Sequence, residues 1–176
     1  MKRYLRSQGG YTLIEVMIAS ALGVMLMTAL VSVVLTTTRA TAIAASRVEA
    51  SSQIRSFQSF SYEDFAAATA VTIPGGCGTA PDPCTTQALI LDGTRVSNTT
   101  PPVASSLRVT YTWDGSEFLD RKVGANPAFH AATNVAAFSW YVDDSGAFAT
   151  VVVSMTVHVG SYDQSQTFRF YPRPNP

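Results

Sequence analysis

The chain has 176 residues, of which 47% are hydrophobic, with 12 Lys and Arg balanced by 12 Asp and Glu. That length holds one domain with a real core, or an anchor plus one modest domain, and excludes two independent folds of ordinary size. Removing residues 1 to 10 takes away Lys2, Arg3 and Arg6 and leaves 9 basic against 12 acidic side chains, a formal charge of −3, which disfavours nucleic acid as a partner.

The chain starts on that basic leader, passes through Gly9 and Gly10, and enters "YTLIEVMIASALGVMLMTALVSVVL". Residues 16 to 35 contain no charge and no proline. At about 1.5 Å per residue, such a run reaches about 30 Å, the thickness of a bilayer's hydrocarbon core. Glu15 stands at the start of this run, where an unpaired charge costs at least about 2 kcal/mol. A secretory signal peptide would explain the basic start and the small residues of "ATAIAAS", but the apolar run is too long for one. A plain signal anchor explains the length and leaves Glu15 without a reason. The bland account of Glu15 is a carboxylate at the membrane interface that favours the helix N-terminus through its dipole.

From Thr36 to Phe60 the composition turns to Ala, Ser, Thr and Arg, with no Gly or Pro to stop a helix. Ile43, Val48, Ile54, Phe57 and Phe60 fall along one side at helical spacings, and Arg39, Arg47 and Arg55 recur on another. The pattern predicts one helix from about Thr12 to about Tyr62, apolar all round in its first half and amphipathic in its second. The amphipathic half requires a partner surface, and a following sheet can supply it.

Beyond Tyr62 the period becomes that of strands. "ALILDGTRV" has two apolar segments around Asp92-Gly93, and "LRVTYTWDGSEFLDRKV" alternates before a hairpin turn at Asp114-Gly115. A further strand, a turn at Asp143 to Gly146 and a long valine-rich strand follow. In that strand Val151, Val153, Met155, Val157 and Val159 mark a buried face, and the alternate residues a mostly wet one. A last short strand ends at the prolines 172, 174 and 176. Segments 72 to 86 and 97 to 106 read as loops.

Cys77 and Cys84 are the only cysteines. Outside the cytoplasm the pair would be oxidised and would staple a loop, whereas a metal site needs further ligands that are not close in sequence. His130 and His158 read as surface or loop residues, and no catalytic set, metal site or cofactor is expected. Asp143 and Asp144 offer oxygens to calcium, but "DDSG" between strands is first a turn. Tyr111, Trp113, Trp140 and Tyr141 suit packing better than a binding surface.

"GG-YTLIEVMIASALG" resembles the cleavage and methylation motif of type IV pilins and type II secretion pseudopilins. The resemblance implies that a prepilin peptidase cuts after Gly10, that Tyr11 becomes the N-methylated first residue where Phe is usual, and that Glu15 is the acidic residue used in filament assembly. Cutting creates an amine on Tyr11, and a neighbouring subunit brings such an amine to the depth of Glu15, lowering the cost of both charges. Ser32 stands where major pilins commonly have a proline. Together with Gly23, the "Y-x-W-D-G-S-E-F-L-D-R" hairpin and the valine-rich strand, this is more similar to minor pilins of the PilW type or to J-type pseudopilins.

The expected fold is therefore α+β: a long N-terminal helix packed on a C-terminal antiparallel sheet of four to six strands. Its divisions are a leader (1–10), a transmembrane and filament-core helix (11–35), an amphipathic half-helix (36–62) and a β domain (63–176). The implied role is structural and not enzymatic, that of a minor pilin or pseudopilin that primes or caps a filament. The alternative is a filament-tip binding module for adhesion, DNA uptake or a secreted substrate. DNA binding would require Arg95, Arg108, Arg121, Lys122, Arg169 and Arg173 to share one face. Implied partners are other major and minor pilins or pseudopilins, prepilin peptidase, an inner-membrane assembly platform and, before assembly, membrane lipid. The implied location is the bacterial inner membrane, crossed once, with the C-terminal domain outside the cytoplasm.

Overall fold

The computed structural model describes residues 10–80, 82–146 and 149–172. Leu13–Ala67 form one 55-residue helix, α1, running past Tyr62 because "EDFAA" supplies good helix formers and no breaker. By its contacts the chain divides into two units, Met1–Ala42 and Ile43–Pro176.

In the first unit α1 has no buried face: Leu13, Met17, Leu22, Met25, Leu30 and Val33 are all exposed. Its 18-residue apolar window has a mean hydropathy of 2.4, so the helix is long and apolar enough to cross a membrane. Its hydroxyls are satisfied within the helix. Ser20 donates to the Met17 carbonyl at 2.9 Å, Ser32 to Ala29 at 2.8 Å and Thr37 to Val33 at 2.8 Å. Such back-bonding leaves none of these hydroxyls in need of water, as a lipid environment demands.

In the second unit α1 buries Ala50, Ile54, Phe57, Ser61, Asp64 and Phe65, a stripe at i, i+4, i+7, i+11, i+14 and i+15. The expected face is corrected at its N-terminal end, where Val48 is 71% and Ile43 47% exposed. Val48 lies two residues from Ala50 and so points nearly the opposite way.

Eight antiparallel strands follow among the described residues: β1 (Ala68–Thr72), β2 (Leu89–Val96), β3 (Ala104–Thr112), β4 (Leu119–Val123), β5 (Phe129–Ala132), β6 (Val135–Asp143), β7 (Thr150–Val159) and β8 (Tyr162–Phe170). The architecture is the expected α+β one, but the strands form two sheets, β1-β2-β3-β4-β5 and β6-β7-β8. Phe57 of α1 joins them, with its ring 5.6 Å from Tyr111 of the first sheet and 5.4 Å from Phe168 of the second. Around it pack Leu89, Leu91, Val109, Leu119, Trp140, Val153 and Met155.

Asp92 and Gly93 lie inside β2 rather than between two segments. Ala68 pairs with Gly93, and a Cβ on Gly93 would stand 2.1 Å from the Ala67 carbonyl oxygen, so glycine lets the end of α1 reach the sheet. The hairpin at Asp114-Gly115 joins β3 to β4 as expected, with Gly115 at φ 88° and the Asp114 carboxylate accepting from the Ser116 N–H at 2.9 Å. That bond, with the Ser116 hydroxyl, holds the Asp114 carboxyl below its usual range. Thr150 and Val152, on the side of β7 expected to be wet, are buried, and Val152 pairs with Tyr141 and Arg169 on its two sides. The closing prolines at 174 and 176 lie outside the described residues.

Candidate functional site

The sequence places the site at the start of α1, and the geometry there is a capping box. The Glu15 N–H donates to the Thr12 hydroxyl at 3.3 Å, while Glu15 Oε2 accepts from the Thr12 N–H and hydroxyl, each at 3.0 Å. Two of the orphan N–H groups of the first turn are thereby satisfied, an arrangement worth about 1 kcal/mol. Thr12 was missed as a partner of Glu15, although the T-x-x-E spacing that signals it is present in "TLIE". The bland role of Glu15 at the helix start is thus realised. Both acceptor contacts fall on Oε2, so Oε1 has no hydrogen-bond partner among the described residues. Tyr11 is 88% exposed, and Gly10 is followed by two residues outside any helix or strand. Most of the basic leader, residues 1–9, lies outside the described residues.

Cys77 and Cys84 form a disulfide, and their loop adds to the edge of β6. The Cys84 N–H donates to the Trp140 carbonyl at 2.8 Å, Trp140 returns the bond at 3.0 Å, and the Val142 N–H reaches Gly78 at 2.8 Å.

The two histidines are exposed and each faces a carboxylate: His130 with Asp120 at 2.6 Å, and His158 with Asp163 at 2.5 Å. They lie on different sheets and do not come together. Asp143 accepts from the Ser145 N–H at 3.1 Å and hydroxyl at 2.6 Å, bonds that keep its carboxyl below the usual range. Its oxygen therefore closes a turn. Among the described residues no group of three or more His, Cys, Asp or Glu is placed to hold a metal.

The basic residues do not share a face. Arg121 lies in register with the buried Tyr111 on the inner side of the first sheet, whereas Arg108 and Lys122 occupy the alternate, outer positions. Arg169 is in the second sheet, and Arg173 lies outside the described residues. Arg108 is also paired to Asp92 at 2.7 Å. That contact lowers the Asp92 pKa.

Sequence reasoning missed a buried polar cluster. Asp64, 4% exposed on α1, accepts from Arg121 Nε at 2.6 Å and Nη2 at 2.5 Å and from the Tyr111 hydroxyl. The guanidinium lies 5.5 Å from the ring centre of Phe60 and 5.3 Å from that of Phe129. The fork is satisfied on one side by a carboxylate and flanked by aromatic faces, so the buried charge is paired.

A helix apolar enough to cross a membrane, capped by a T-x-x-E box and followed by a disulfide-bearing domain of antiparallel sheets, defines the class: an α+β, pilin-like fold. The prokaryotic N-terminal methylation motif matches residues 5–31, which supports a type IV pilin-like protein. No curated protein and no solved structure matches it.

Proposed function

We propose that the chain is a minor pilin or pseudopilin, cut after Gly10, methylated on Tyr11 and drawn from the inner membrane into a filament that it primes or caps. The methylation motif over residues 5–31 carries this reading. The first unit's exposed apolar surface supports it, because such a helix needs lipid before assembly and other helices after it. The processed chain would divide at residues 35 and 62 into a filament-core helix, an amphipathic half and a domain held outside the cytoplasm.

Glu15 acts in assembly through the oxygen that the capping box leaves open. With Oε2 held by Thr12, Oε1 is free to accept from the Tyr11 amine of the next subunit, which exists only after cleavage. Pairing removes the cost of two unmatched charges in a low-dielectric filament core and sets the axial stagger of neighbouring helices.

Glu15→Ala should leave a processed, membrane-bound protein that fails to enter or prime filaments, scored by sheared-filament yield. Wild-type yield from that variant sinks the assembly role.

A further inference from the structure

The two edges of the second sheet are treated differently. The β6 edge is closed by the disulfide loop, whereas among the described residues β8 pairs only with β7. Val159 and Tyr162 flank the two-residue turn Gly160-Ser161, which makes them a hydrogen-bonded pair. Alternate residues Asp163, Ser165, Thr167 and Arg169 therefore aim their N–H and C=O groups away from β7. The phase is corroborated across the ladder, because His158, opposite Asp163, sends its N–H to the Asn134 carbonyl at 2.8 Å instead. Among the described residues no backbone hydrogen bond reaches the outward groups of β8.

Within the second unit α1 runs beside this edge in the direction of β8. Arg47 lies 5.3 Å over the Tyr162 ring, Ser51 donates to Gln164 at 3.0 Å, and the Phe65 and Phe170 rings stack at 3.9 Å. Arg47, Ser51, Arg55, Gln58 and Tyr62 form the flank of α1 on this side. Two recesses mark it. One of about 430 Å³ is lined by Arg47, Val48, Ser51, Ser52 and Arg55. The other, of about 330 Å³, holds Tyr62, Phe65, Arg169, Phe170 and Tyr171. Every charged group lining either recess is cationic, and Tyr62 and Tyr171 are 72% and 65% exposed.

We propose that the β8 edge and the adjoining flank of α1 take up an extended segment of a partner protein as a fourth strand. Its acidic side chains face Arg47 and Arg55, and an aromatic side chain enters the recess of Tyr62 and Tyr171. Main-chain bonds to Asp163, Ser165, Thr167 and Arg169 supply affinity, and the recesses supply selectivity. The inference rests on the second unit alone and holds whatever becomes of the leader. A second copy of the chain is the lesser occupant. Pairing β8 with itself about Gln166 would match Asp163 to Arg169, but the two-fold reverses the helix that runs along β8. Copies anchored in one membrane point the same way.

The test uses the full chain in detergent micelles and a fluorescein-labelled peptide, Glu-Thr-Glu-Thr-Ser-Thr-Phe, read by anisotropy. Saturable binding is expected, weakened at least about tenfold by Arg55→Glu or by replacing the peptide's Glu with Lys. Thr167→Pro, which removes an outward N–H together with the hydroxyl contact to Ser154 at 3.0 Å, should abolish it. A peptide N-methylated at alternate residues should also fail, an arm that needs no variant. The proposal is overturned if the acidic peptide does not bind, if the Lys or N-methylated peptide binds equally, or if Thr167→Pro or Arg55→Glu leaves binding intact. It is also overturned by a wild-type dimer that Thr167→Pro dissolves, which would make a second copy the occupant.

Discussion

At the scale of single residues, the cluster of Asp64, Arg121 and Tyr111 fixes the last turns of α1 to the first sheet. Burial first, and then the Asp64 charge, push the Tyr111 phenol well above its usual range, so the neutral, donating form is the one folding favours. A folded-state pKa above the unfolded value contributes stability that is complete below about pH 10 and is lost as pH rises beyond it. Tyr111→Phe should therefore cost about 2 kcal/mol at pH 7, the worth of a buried hydrogen bond to a charged group. The gap between wild type and variant should narrow at pH 11. Urea unfolding at the two pH values measures both; a gap that stays constant would show that ionisation of Tyr111 does not couple to folding. Asp64 could not be read from "SYEDF", because a carboxylate near the end of a helix has the same local pattern whether it faces solvent or an arginine from a distant strand. Thr12 was legible and overlooked, since its partner lies three residues away.

At the scale of elements, alternation and turn chemistry made the β3–β4 hairpin and the β6–β7 pair legible, because both are local. The division into two sheets was not. It depends on the chain breaking register between β5 and β6, where Asn134 takes φ 58°, and on which distant edges the helix covers. The disulfide was legible from spacing and compartment, but its use was not: the loop of Cys77 and Cys84 serves as the neighbour that β6 otherwise lacks. Replacing both cysteines by serine should cost about 2 kcal/mol, the closure entropy of so short a loop. Hydrogen exchange at the Trp140 and Val142 amides, which donate to Cys84 and Gly78, should rise well above that at β7. Protection unchanged at those two amides would mean the loop pairs with β6 without its crosslink.

At the scale of the whole molecule, the first and second units pose opposite solvation problems. The second buries its apolar side chains in a core joined by Phe57, and the first exposes them along a helix whose hydroxyls bond its own carbonyls. A chain built this way needs an apolar environment for one part and water for the other, and the methylation motif matched at residues 5–31 is what the proposed processing of the apolar part rests on. That much was legible from the first forty residues, because a transmembrane run, a basic leader and T-x-x-E are all patterns of neighbouring residues. The central claim is that the chain is cut between Gly10 and Tyr11, which creates the amine that Glu15 is placed to meet. Mass spectrometry of the mature N-terminus in cells that carry a prepilin peptidase tests it most directly. The account predicts a chain beginning at N-methylated Tyr11; one beginning after the small residues near Ala44 and Ala45, or still carrying the leader, would contradict it.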